Sequence, residues 1–123
     1  MQKSFLFVAL FTVVCAASLK AQFEGTRWSL PAAGLRLQSY TLEFSIDTAV
    51  LRSTDSTVFE KMAYKVSHQK LSFQKIIGST KCSNEDIALY DFKLDTTIMN
   101  IRLVSDPCAQ RSGALVGNWS RAN

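Results

Sequence analysis

The chain has 123 residues, with 14 Lys and Arg against 10 Asp and Glu, a formal net charge of +4 and three cysteines. After removal of an N-terminal leader that length holds one compact domain and not two. The basic residues are interspersed with apolar ones and never cluster as a phosphate-tracking patch does, which argues against nucleic acid as a partner.

Lys3 supplies a positive start, Phe5 to Ala17 an uninterrupted apolar stretch, and small residues up to Ala21 a cleavage site. This is the pattern of a secretory signal peptide. The stretch is shorter than the ~20 residues a membrane-spanning helix needs, and no second apolar run follows. The expectation is a signal peptide over residues 1–21, cut after Ala21 or, as second choice, after Ser18. The mature domain, residues 22–123, is then a secreted or periplasmic monomer without a transmembrane segment. A lipid anchor on Cys15 is disfavoured by the valine just before it. Losing Lys3 and Lys20 leaves a net charge of about +2.

Along the mature chain, Gly25 to Leu30 alternates, with Trp28 and Leu30 on one face, and Pro31 to Gly34 ends it. Tyr40 to Ile46 puts Leu42, Phe44 and Ile46 on one face and Thr41, Glu43 and Ser45 on the other. Ala49 to Arg52 makes a short strand, and Ser53 to Thr57 a loop. Val58 to Lys61 suits either a helical turn or a strand and is read as strand. Met62, Tyr64 and Val66 then alternate up to a polar tip, Ser67 to Lys70, beyond which Leu71 and Phe73 resume the alternation. His68 falls on that tip, where a solvated histidine is expected rather than a catalytic one. Gly78 to Asp86 is a polar loop. Ile87 to Leu94 and Thr97 to Val104 form a second hairpin about Asp95-Thr96, with Tyr90, Phe92 and Leu94 on one face across from Asp91 and Lys93, and Met99, Ile101 and Leu103 alternating with Asn100 and Arg102. About seven or eight short strands at this spacing predict an all-β antiparallel barrel or sandwich.

At the C-terminal end, Asp106 suits an N-cap and Pro107 a first helical residue, so a short helix is expected from there. Cys108, Arg111 and Leu115 share about one face of it and could plug a barrel end, until Gly113 weakens the turn and Gly117 permits a left-handed stop. Asn118 to Arg121 is the last strand. Gly117-x-Trp119 echoes Gly25-Thr26-Arg27-Trp28, as expected if first and last strands are neighbours. With Cys15 removed, Cys82 and Cys108 are the remaining thiols, and an even pair outside the cytoplasm is most simply a disulfide. Closing a loop of about 27 residues is worth roughly 3 kcal/mol. Neither thiol has the spacing of a metal-ligand set or of a Cys-x-x-Cys redox pair, so no metal and no cofactor are expected.

The Gly25-Thr26-Arg27-Trp28 start, the run of hairpins, and Asp106-Pro107-Cys108 with Arg111, Leu115 and Gly117-Asn118-Trp119 resemble small secreted bacterial lipocalin-like proteins. The resemblance implies a small closed barrel with Arg121 placed over Trp28, a structural cation–π contact worth about 1 kcal/mol. Here two residues separate Gly25 from Trp28, where the family has one. Tyr64-Lys65-Val66, Lys70 to Phe73 and Thr80-Lys81-Cys82 are in addition similar to the META domain, without its upstream Gly-Cys-Asn segment. Both resemblances imply a compact β fold outside the cytoplasm, and neither carries a catalytic motif.

An enzyme needs converging groups, and the chain has one histidine, no Gly-x-Ser-x-Gly, no His-x-x-x-His and no phosphate-binding glycine loop. The adjacent acids Glu85 and Asp86 read as loop solvation. The leading expectation is a noncatalytic binding module, with Tyr64, Phe73, Tyr90 and Phe92 lining a cavity for a small apolar ligand or, more simply, filling it. The rival is a protein–protein module such as a periplasmic protease inhibitor, with Phe23 to Arg27 entering the target's cleft. An open interior favours the first, a solid core with a protruding N-terminus the second.

Overall fold

A computed structural model describes residues 20–122; the apolar N-terminal stretch with Lys3 and Cys15, on which the expected signal peptide falls, lies outside the described residues. The strands are β1 (Arg27–Leu30), β2 (Tyr40–Phe44), β3 (Thr48–Ser53), β4 (Val58–Ser67), β5 (Lys70–Ile77), β6 (Ile87–Leu94), β7 (Ile98–Ser105) and β8 (Gly117–Ala122), with one helix, α1 (Ala109–Leu115), before the last. Each strand pairs antiparallel with the next, and β1 pairs with β8, so the sheet closes into an eight-stranded barrel. Arg27, Trp28 and Ser29 lie opposite Ala122, Arg121 and Ser120 across that closing seam.

The period-two pattern is the cause of the closure. Trp28, Leu30, Leu42, Phe44, Ala49, Leu51, Met62, Tyr64, Leu71, Phe73, Ala88, Tyr90, Met99, Ile101 and Trp119 all point inward and are buried. Arg27, Glu43, Arg52, Lys65, Gln74, Lys93, Arg102 and Asn118 take outward positions on the same strands. A membrane-spanning barrel has the reverse arrangement, apolar outside and polar within. Among the described residues no helix is long and apolar enough to cross a membrane.

Both ends of the barrel are covered. At one, residues 20–25 turn so that Phe23 inserts between Phe44 and Phe92, with ring centroids at 5.0 and 4.9 Å. At the other, α1 lays Arg111, Ala114 and Leu115 over the opening. Each closure is tied to one indole. Trp28 donates its Nε1–H to Thr26 Oγ1 (2.8 Å), which donates in turn to the Phe23 carbonyl (2.6 Å), whereas Trp119 donates to the Leu115 carbonyl (2.9 Å). The two tryptophans thus sit on neighbouring strands, as expected, and serve opposite ends of the barrel.

Other expectations are corrected. Ile46 is not on the inner face of β2; the strand ends at Phe44, Ser45 N–H bonds to Thr48 O, and Ile46 is exposed in the turn. Leu103 is not in the core either: it pairs with Tyr90 at the last aligned position before the β6–β7 register shifts, and is half exposed there. The helix begins at Ala109 and not at Pro107, since Asp106 takes the Cys108 N–H (2.8 Å) and turns its carboxylate onto Arg111. Nor does a left-handed glycine stop it: Val116 is extended, and Gly117, at φ +150°, already belongs to β8.

Candidate functional site

The residues expected to line a cavity are in the core instead. Tyr64, Phe73, Tyr90 and Phe92 are all buried, and their rings lie edge-on to one another or to other aromatics. Phe73 meets Tyr90 at 5.9 Å and Tyr64 meets Phe44 at 5.0 Å. The phenol of Tyr64 donates to the Ser45 carbonyl (2.7 Å), and burial, with Glu24 and Asp47 behind it, pushes its pKa up to about 12. These side chains fill the barrel, the simpler of the two arrangements anticipated for them. Phe23 to Arg27 is likewise part of the closed structure: Phe23 is fully enclosed, and Gly25 N–H bonds to Phe44 O (2.8 Å). It cannot enter another protein's cleft without leaving its own barrel.

The densest polar cluster lies beneath α1. Glu60 projects inward from β4, in phase with Met62 and Tyr64, and accepts from Arg111 Nη1 (3.0 Å) and Thr80 Oγ1 (2.5 Å). Arg111 also donates through Nε and Nη2 to both oxygens of Asp106, at 2.9 Å each, and Tyr90 OH donates to Asp106 Oδ2. The side chains of Arg111, Glu60 and Asp106 are entirely out of solvent. Burial alone would raise the Asp106 pKa; the Arg111 hydrogen bonds, then Tyr90 and the Cys108 amide, reverse this and hold it below the ordinary value. For Arg111 burial opposes the charge and the two carboxylates overcome it, so its pKa stands above the usual arginine range. Burial first, then the bond to Asp106, carries the Tyr90 phenol far above its normal pKa. Asp106, Arg111 and Tyr90 are therefore each held in one protonation state at neutral pH, and the cluster has its hydrogen bonds made, which suits a fastener and not an acid–base pair.

The disulfide joins Cys82 to Cys108, two residues beyond Thr80 and two beyond Asp106, with Cα atoms 5.4 Å apart. It pins the β5–β6 loop and the start of α1 on either side of the Arg111 cluster. Gly78 allows that loop to lie on β4, since a Cβ there would stand 2.6 Å from Phe59 O, and the amides of Ser79 and Thr80 bond to the same carbonyl. Among the described residues no three His, Cys, Asp or Glu side chains converge as a metal-ligand set.

At the Phe23 end, the Arg121 guanidinium carbon sits 5.5 Å from the Trp28 ring centroid, between two shallow depressions. Arg111, the other basic residue assigned a structural role, contacts carboxylates, not an indole. At the helix end, the loop from Pro31 to Ser39 presents Leu35 and Leu37 to solvent, 100% and 91% exposed. The loop is held, not loose. Ala33 and Arg36 exchange two backbone hydrogen bonds around Gly34, whose φ is +57°, and Arg36 Nη2 donates to the Val116 carbonyl of the α1–β8 junction (2.6 Å). Between loop and helix runs a groove of about 380 Å³ lined by Ala33, Leu35, Arg36, Ser112, Gly113 and Val116. Sequence reasoning passed over Glu60, Thr80 and Arg36. For Glu60 a signal existed, a carboxylate on the apolar phase of a strand; for Arg36 none did. Compared with protein-family models, curated proteins and solved structures, the chain matches none of them.

Proposed function

We propose that the protein is a noncatalytic binding module that works outside the cytoplasm and recognises another protein through the Leu35–Leu37 tip. The observation that carries this reading is the pair of leucines held in solvent by a fixed loop. Exposing large apolar side chains on a rigid projection is unfavourable for an isolated protein and useful at an interface, where such anchors supply much of the binding energy. The filled interior supports the same reading, because a small apolar ligand would have to displace Phe23, Phe44 or Phe92 to enter. The Cys82–Cys108 bridge favours an oxidising compartment, and Trp28 beneath Arg121 favours kinship with lipocalin-like barrels.

The test places a photo-crosslinking residue at Leu35, Leu37 or, as control, Ile98, which is exposed near the opposite end. A discrete protein should be captured from the source cells' extracytoplasmic fraction at the first two positions and not at the third. Adding Leu35→Asp to the Leu37 probe should abolish capture with circular dichroism unchanged. Equal labelling at all three positions overturns the reading, and so does saturable binding of a fluorescent fatty acid that Phe92→Trp alters, which would return the function to the barrel interior.

A further inference from the structure

Resting on that protein-binding reading, we propose that the groove between the β1–β2 loop and α1 receives the C-terminus of a protein partner, its carboxylate on Arg36 and its apolar last side chain between Leu35 and Val116. The charge of Arg36 is unneutralised among the described residues. The Arg36 guanidinium is only partly exposed, and its neighbours are carbonyl oxygens: Val116 O at 2.6 Å and, more weakly, Pro31 O at 3.5 Å. Its Nε–H is enclosed with no partner at all. The carboxylates that form ion pairs among the described residues, Glu43, Glu60, Asp91 and Asp106, are all taken by other bases. Neutral acceptors leave a full positive charge in the groove wall, and a carboxylate, which can accept two parallel N–H bonds, is its complement.

The space beside Arg36 fits such a ligand. The groove volume, about 380 Å³, falls at the small end of the range for ligand pockets, and a Cβ on Gly113 would meet nothing within 4 Å. Its other walls are mostly apolar, with Leu35 and Val116 on opposite sides. One cation set among apolar walls selects a ligand whose charge and apolar group are adjacent. The last residue of a polypeptide carries both on a single α-carbon. An internal Asp or Glu has its charge at the tip of its own side chain and must borrow the apolar group from a neighbour. A long acyl chain also bears a carboxylate, but its tail needs a channel, and the barrel beneath this groove is occupied by Leu30, Leu115 and Trp119.

The probes are fluorescein-labelled pentapeptides Gly-Gly-Ser-Ala-X, with X as Leu, Phe or Ala, each as free acid and as C-terminal amide, and sodium dodecanoate for the acyl source. Anisotropy should show saturable binding of at least one free acid and at least tenfold weaker binding of its amide. The backbone amide resonances of Leu35, Ser112, Gly113 and Val116 should move together. Arg36→Gln should erase the preference for acid over amide. Gly113→Leu fills the groove without touching Arg36 and should weaken binding at least tenfold while the thermal midpoint holds. Equal affinity for acid and amide, undiminished binding by Gly113→Leu, response to dodecanoate alone, or no peptide bound at millimolar concentration each overturns the proposal. If crosslinking at Leu35 captures a partner but no peptide binds, this inference falls and the protein-binding reading stands; if neither occurs, both fall.

Discussion

Arg111 on α1 and Glu60 on β4 stand 51 positions apart in sequence and form an ion pair at 3.0 Å from which solvent is wholly excluded. The pair fastens the helix to the barrel wall, and Asp106 completes it from the helix's own approach. Deleting one side of a buried ion pair leaves the other charged and unsolvated, at a cost of about 3–5 kcal/mol. Arg111→Ala, which strands two carboxylates, should lose at least that much in urea denaturation. Thr80→Val removes one neutral donor from Glu60 and should cost only about 1–3 kcal/mol. Equal losses would mean that the ion pair is not the fastener.

The pH dependence follows from Asp106. Its folded pKa is held below the ordinary aspartate value of 3.8, chiefly by the Arg111 hydrogen bonds working against burial, so the unfolded chain binds the proton first as pH falls. The stability it contributes is complete above that value and is lost as pH drops from about 4 through the lower folded pKa. Urea midpoints between pH 5 and pH 2 should fall, and Asp106→Asn should have a lower midpoint at pH 6 with a flatter slope toward acid. A variant as steep as the wild type would assign the acid sensitivity to other carboxylates, such as the exposed turn residues Asp55 and Asp95.

The Cys82–Cys108 bridge makes two predictions at once. Denatured, unreduced chain of residues 22–123 should label no thiol, and the Cys82→Ser/Cys108→Ser double variant should lose roughly 3 kcal/mol. Because the bridge flanks the Thr80–Glu60–Arg111 contacts, hydrogen exchange in that variant should accelerate in residues 78–86 and in α1 before it does in β2 or β3. Uniform acceleration would mean that the bridge acts on the unfolded chain alone.

Gly78→Ala tests the close approach of the β5–β6 loop to β4. A Cβ 2.6 Å from a backbone oxygen, at a φ of +150°, forces the loop to move, and Thr80 must move with it. We expect a loss of about 2 kcal/mol or more, in the upper range for single substitutions. Gly113→Ala, at an open helical position, should be neutral or slightly stabilising.

The barrel was largely legible in the sequence because strand alternation is a local signal: Leu42-x-Phe44, Met62-x-Tyr64-x-Val66 and Met99-x-Ile101 each state which face is inward. What escaped was everything decided by a distant partner. Asp106 satisfies every local rule for an N-cap, yet Arg111 and Tyr90 offer its carboxylate stronger partners than the amides of the first turn, and the helix starts later. Phe23 sits in a short segment without periodicity, so nothing local says that it closes a barrel. Glu60 carried a signal as a charge on the apolar, inward phase of β4, but its partner lies 51 residues away. The loop arginine gave no signal, since its significance depends on where the Val116 carbonyl happens to be.

Closure of the sheet has a consequence for how the molecule would fail. Among the described residues every strand has a partner on both sides for at least part of its length, so no strand offers a full free edge to a neighbouring chain, and growth by strand addition has little template. The ring is nevertheless unequal. The seam between β1 and β8 has three aligned residue pairs, whereas β4 and β5 share seven. A transient opening at that seam would expose Trp28 and Trp119 together with two fresh edges. The first and last strands are the parts that two molecules could exchange, so this short seam, not the long hairpins, is where strand exchange between molecules would begin.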